Sequence, residues 1–260
     1  MTTEFADYAA PPVIEVAYGV QFTPLKNWKI PHFGAFWQLV REEFPQCEHA
    51  PVIGDLSIID ENSGLPLPRV WLVNDSDDRL IQLQLGRFLS NWRYREGSGP
   101  YPRYHILSEE FFGHFETFRR FLDESDLGEL EVKNFDLTYF NHIYGRDGWQ
   151  LPEAFGEVMK PVIWLDESHE FLPRPRILNW QAEFAFAEQP GRLTVKLNPA
   201  KRNQDGEPLL LLEMSAQGRP ETDAIGNMKD WFAAAHEWIV RGFADLTTER
   251  AQKELWRKHE

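Results

Sequence analysis

The alternation in residues 80–94 constrains this chain more than any other stretch. Ile81, Leu83 and Leu85 take every second position, with Gln82 and Gln84 between them. Only an extended strand sends successive side chains to opposite faces, so the run predicts a strand with one apolar and one polar face. Residues 69–74 read as an earlier strand, and Asn74 to Asp78 as the turn between them, because Asn and Asp accept turn geometry. Gly86 reads as a bulge or kink within the longer strand. Beyond it, the same period puts Arg87, Asn91, Arg93 and Arg95 on one side and Phe88, Trp92 and Tyr94 on the other. A Gly/Pro loop then leads to Tyr101, Arg103 and Tyr104.

The remaining segments fall into strand-like and helix-like patterns. Residues 13–22 are dense in Val and Ile and predict a strand, with Glu15 set among apolar neighbours. Phe33, Phe36, Trp37, Val40 and Phe44 form one helical face, and Pro45 is the stop. Residues 51–60 predict a second strand. Ser108 reads as a helix cap, with Glu109 and Glu110 in the first turn, ahead of the stripe Phe111, Phe115, Phe118 and Leu122. Residues 130–144 predict a strand, and Leu151, Phe155, Val158 and Met159 a short helix ended by Pro161. Strands follow at 177–187, 192–199 and 208–217. A long helix over about 223–246 carries Ile225, Met228, Phe232, Ala235, Ile239, Gly242 and Leu246 at alternating spacings of three and four. Thr248 caps a final short helix.

This order predicts an α+β fold in one domain, residues 1–260. It has two pseudo-repeats, about 11–128 and 129–247, and a short C-terminal helical tail. Each repeat reads strand, helix, three strands, helix, in a mostly antiparallel sheet with long helices on one face and the other face open to water. Glu15-x-x-Tyr18 in the first repeat answers to Asp136-x-x-Tyr139 in the second. The order of elements resembles the TATA-binding-protein-like saddle, an analogy of fold that carries no function.

Charge narrows the functions open to such a fold. The net charge of −14 repels phosphate backbones and argues against general nucleic-acid binding. No apolar run approaches the ~20 residues that span a bilayer, and the first residues lack a secretory pattern. The single cysteine, Cys47, excludes an internal disulfide and fits a reducing cytoplasm. The histidines are scattered without ligand spacing, so neither a metal nor a cofactor is expected. No phosphate-cradling glycine loop or Gly-x-Ser-x-Gly elbow is present.

Two residue groups stand out as candidates. Arg87, Asn91, Arg93, Arg95, Tyr101, Arg103 and Tyr104 combine guanidiniums with aromatic rings, chemistry suited to a carboxylate, a phosphate or a planar ligand. The second group is an inter-half polar cluster of Glu15, Asp136, Asn141 and His142. Glu15 needs a partner because an unpaired buried carboxylate is costly, and an arginine from residues 91–95 is the expected one. Asp136 and His142 lie six residues apart on one strand, roughly 20 Å, too far to act as a dyad.

Pro11-Pro12-Val13-Ile14-Glu15-Val16, Asn91-Trp92-Arg93, Tyr101-Pro102-x-Tyr104 and Tyr139-x-Asn141-His142-Ile143 together resemble a sporadically distributed family of uncharacterised bacterial proteins. The resemblance spans nearly the whole chain. It implies a bacterial cytoplasmic protein, in keeping with an accessory system such as defence or toxin neutralisation, and brings no catalytic residue or cofactor. The expected function is a non-catalytic binding or interaction module, for a protein partner or a small anionic or planar ligand. The alternative is an enzyme or small-molecule sensor with a site between the two halves near Glu15, Arg93 and His142. Saddle-type nucleic-acid binding would require a contiguous basic face.

Overall fold

A computed structural model describes residues 6–53, 64, 67–144, 155–160, 177–202, 204–219 and 221–259. Among these residues, nine strands hydrogen-bond in the order β2-β3-β4-β5-β1-β6-β9-β8-β7. They are β1 (Val13–Phe22), β2 (Gln46–Ala50), β3 (Arg69–Val73), β4 (Arg79–Gln84), β5 (Arg87–Arg93), β6 (Val132–Tyr144), β7 (Trp180–Ala185), β8 (Arg192–Lys201) and β9 (Pro208–Gly218). The helices are α1 (Ile30–Val40), α2 (Tyr104–Glu124), α3 (Phe155–Val158) and α4 (Met228–Leu246), followed by a π-helical turn at Ala251–Leu255. The fold is α+β. The chain divides into two compact units, one of Glu15–Leu137 with Gly218–Met228, the other of Met1–Ile14, Thr138–Gln217 and Lys229–Glu260.

In the first unit, directly paired residues share a sheet face, so register assigns each side chain. Val16 pairs with Trp92, Tyr18 with Ser90 and Val20 with Phe88. Ile81 lies across from Ser90 and Leu83 from Phe88. This face meets the α2 stripe. Tyr18 stacks on Phe111 at 5.0 Å, Phe22 lies 5.8 Å from Phe118, and Phe88 lies 5.5 and 5.1 Å from Phe115 and Phe118. Phe36 brings α1 onto Phe118 at 5.6 Å. These rings are buried, and burying each contributes about 1.5–3 kcal/mol.

Four expectations are corrected here. The long strand at 80–94 is a hairpin: β4 and β5 are joined at Leu85-Gly86, with Gln84 opposite Arg87. Gly86 adopts φ +82, and a Cβ there would sit 3.0 Å from the Phe22 carbonyl oxygen, so it turns the chain where a kink was expected. The second strand lies at Gln46–Ala50, antiparallel to β3. Of the predicted 51–60 strand, residues 51–53 are not extended in a ladder and 54–60 lie outside the described residues. Helix α1 ends at Val40, ahead of Pro45. Helix α2 begins at Tyr104, and Ser108 sits buried inside it, where its hydroxyl donates to the His105 carbonyl oxygen at 3.0 Å. A small hydroxyl that bonds back to the preceding turn needs no cap position.

In the second unit, β7, β8 and β9 form an antiparallel meander. Leu193, Val195, Leu197, Leu212 and Met214 are buried, as are Trp231, Phe232, Ala235 and Ile239 of α4. Gly242 lets α4 pass close to β8, since a Cβ there would meet the Leu193 side chain at 2.9 Å. The Thr248 hydroxyl accepts the Ala251 N–H at 3.2 Å, which fits its expected capping role. Residues 151–154 of the predicted short helix lie outside the described residues.

Candidate functional site

The face of β3, β4, β5 and β1 that points away from α2 carries a continuous polar network. Asn91 donates to the Glu15 carboxylate at 2.6 Å, and Gln82 donates to the Asn91 side-chain oxygen at 2.7 Å. The Gln82 oxygen in turn accepts from Arg69 Nε at 3.0 Å, from a second Arg69 nitrogen, and from Trp71 Nε1 at 3.1 Å. Gln82, Gln84 and Asn91 are buried. The polar face was expected to be open to water, so this corrects that expectation. Gln84 pairs with both backbone groups of Ile53, and Arg69 donates to the Pro51 carbonyl oxygen, so residues 51–53 cover part of the face.

Trp71 lies between two guanidiniums, with Arg69 at 5.3 Å and Arg93 at 5.5 Å from its ring centre. Arg93 stands opposite Glu15 in the strand register, yet it pairs with Asp77, which also binds Arg95 at 2.5 Å. The hydrogen bond to Glu15 therefore comes from Asn91 and not from the expected arginine. Burial pushes the Glu15 carboxyl above its ordinary range. The Asn91 hydrogen bond and the charges of Arg93, Arg95 and Arg69 pull it back only in part.

Arg87 is different. Among the described residues it has neither an ion pair nor a side-chain hydrogen bond, and its charge is the least of the causes that act on Arg69. Burial is the main cause that lowers the Arg69 pKa, while Glu15 opposes it.

Among the described residues, Tyr101, Arg103 and Tyr104 make their ring contacts elsewhere. Tyr101 lies 5.4 Å from Trp92, Arg103 lies 6.0 Å from the Tyr101 ring, and Tyr104 lies 6.3 Å from Tyr18. Trp92 and Tyr18 belong to the α2-facing side of the sheet, so the single cluster expected from sequence is divided between two faces. Burial raises the Tyr104 hydroxyl well above its usual range. Arg103 holds φ +77 and ψ 157 immediately before α2, a conformation that is nearly restricted to glycine.

Each member of the second group has its own local partner. Asp136 accepts from Gln21 at 2.7 Å. Asn141 is buried and donates to the Leu212 carbonyl oxygen at 3.0 Å. His142 lies 3.2 Å from the Tyr144 hydroxyl, and burial, with the Arg202 charge second, lowers its pKa.

One constellation had no sequence signal. The Ser90 hydroxyl lies 3.4 Å from His114 Nδ1, and His114 Nε2 lies 3.1 Å from the Glu43 carboxylate. A neutral ring protonated at Nε2 satisfies both contacts. Ser90, His114 and Glu43 are the residue types of an acyl-transfer triad. Here Ser90 is buried mid-strand, on the face that α2 covers, so the link fastens α2 to β5 and to the turn that follows α1. His114 lies on the helix stripe beside Phe115, and its reach to residues 24 and 71 positions away has no local pattern to announce it.

Comparison with protein-family models and with curated protein sequences gives no match to this chain. Among the described residues, no group of three or more His, Cys, Asp or Glu side chains is placed to hold a metal ion. Nor is any helix among them long and apolar enough to cross a membrane.

Proposed function

We propose that the protein is a non-catalytic binding module, with the Arg87 to Tyr104 stretch and its neighbours Arg69 and Trp71 forming the recognition surface. The single observation that carries this reading is the Trp71 ring with the Arg69 and Arg93 guanidiniums 5.3 and 5.5 Å from its centre, on a sheet face that also carries Arg87, which has no ion pair among the described residues. An anionic or planar group suits that concentration of guanidiniums and ring surface, whether it belongs to a protein segment or to a small ligand. The conformation of Arg103 supports the reading further, because backbone strain of about 1–3 kcal/mol concentrates at functional sites.

The test is capture from a host-cell lysate, read by mass spectrometry for proteins and small molecules. Arg87→Ala removes no described contact, so its stability should stay within about 0.5 kcal/mol of wild type while the captured species is lost. Arg103→Gly should raise the melting temperature and weaken capture. Unchanged capture by both folded variants would sink the site.

The strand order supports a duplication. In each half the first strand, β1 or β6, pairs with the last strand of the outward meander, β5 or β9. Among the described residues, four strands lie between α1 and α2 and three between α3 and α4. The motif resemblance and the composition support a cytoplasmic role in a bacterial accessory system.

A second reading, an enzyme or sensor, draws on Glu15. A buried carboxyl with a raised pKa beside arginines is a common catalytic arrangement. Glu15→Gln decides between the readings: a binding module keeps its captured species, whereas an enzyme accumulates bound substrate in that variant.

A further inference from the structure

The second unit contains a groove that the polar network does not touch. It lies between α4 and β7, the last strand in the sheet order, and encloses about 580 Å³. That is within the range of about 300–1,000 Å³ typical of small-molecule sites. Phe184 of β7 pairs across the ladder with Leu193 of β8. Helix α4 covers Leu193, which is buried, and leaves Phe184 38% exposed. The indole of Trp238 lines the same space and is held by stacking on Phe186 at 4.7 Å. The floor and walls are therefore apolar and partly aromatic.

The rim has the opposite character. Glu188, Glu237 and Asp245 line the groove with a single cation, Arg241. Arg241 is already bonded to Glu237 at 2.6 Å. Among the described residues, Glu188 and Asp245 have no ion-pair partner.

We infer that this groove binds a small aromatic amine. The ring lies against Phe184 and Trp238, and the ammonium faces Glu188 and Asp245. Charge complementarity selects the cation over an anion or a neutral ring, and the volume matches a small molecule.

Isothermal titration calorimetry of the full chain tests this, with 5-hydroxytryptamine as the probe and 5-hydroxyindole-3-acetate as its anionic counterpart. The amine should bind saturably at one site, and the anion at least about tenfold more weakly. Asp245→Asn and Glu188→Gln, both at exposed positions, should each weaken the amine about fivefold. Ala234→Trp should fill the groove and abolish binding. Absence of saturable binding, equal affinity for the anion, or unchanged affinity in both carboxylate variants would overturn the assignment. The carboxylate variants keep the test decisive if Ala234→Trp does not fold.

Discussion

Glu15 shows how a single residue can be legible as an oddity while its solution is not. A carboxylate in an apolar strand announces a need for a partner. The expected arginine is present, since Arg93 stands directly across the ladder, but Asp77 claims its guanidinium. Asp77 comes from the β3–β4 turn, and its φ of +59 is a local detail that no alternation pattern encodes. The pKa shift gives the consequence for stability. The folded pKa of Glu15 lies above the unfolded value of 4.5, so the folded state holds the proton more tightly. The ionised carboxylate therefore weakens the fold above the folded pKa, and the penalty fades as pH falls from the folded pKa toward 4.5 and is gone below it. Glu15→Gln should raise the melting temperature at pH 7, and the gain should vanish below about pH 4. A gain that persists in acid would show that the variant acts by packing.

At the scale of elements, the β4–β5 hairpin shows where period reading stops. Leu85 continues the apolar alternation of Ile81 and Leu83, so the chain gives no polar break at the turn. Gly86 is the signal that was there to read, and a lone glycine in a strand pattern fits a bulge as well as a reversal. The reversal decides which residues meet, because it places Asn91 opposite Leu80 and beside Gln82. Gly86→Ala should cost about 1–2 kcal/mol from its left-handed backbone, measured by urea unfolding, with the Phe22 carbonyl as a further obstacle. No change in the midpoint would mean that the turn relaxes. The aromatic stripe of α2 was readable in full because it repeats over about three turns. Its start was not, because Ser108 has the chemistry of a cap and a buried position within the helix.

For the whole molecule, acidity sets the background against which local features act. With a net charge of −14, the arginines of β3 and β5 are a small positive inset, part of it neutralised by Asp77. The protein should not shift the fluorescence anisotropy of a labelled DNA duplex at physiological salt, and a shift that weakens steeply with added salt would overturn this expectation. The fold class and most elements followed from periodicity, which is a property of neighbours in sequence. The polar network did not, because it is assembled from β1, β3, β4 and β5 by register. The two faces of β5 also have a consequence for how this protein tolerates change. A library selected for cellular abundance should punish substitutions at Phe88, Asn91 and Trp92 and overlook Arg87. Selection for capture of the ligand should punish Arg87 as well. On the binding role proposed above, folding and recognition are separable traits along these seven consecutive residues, and variation at Arg87 retunes one while sparing the other.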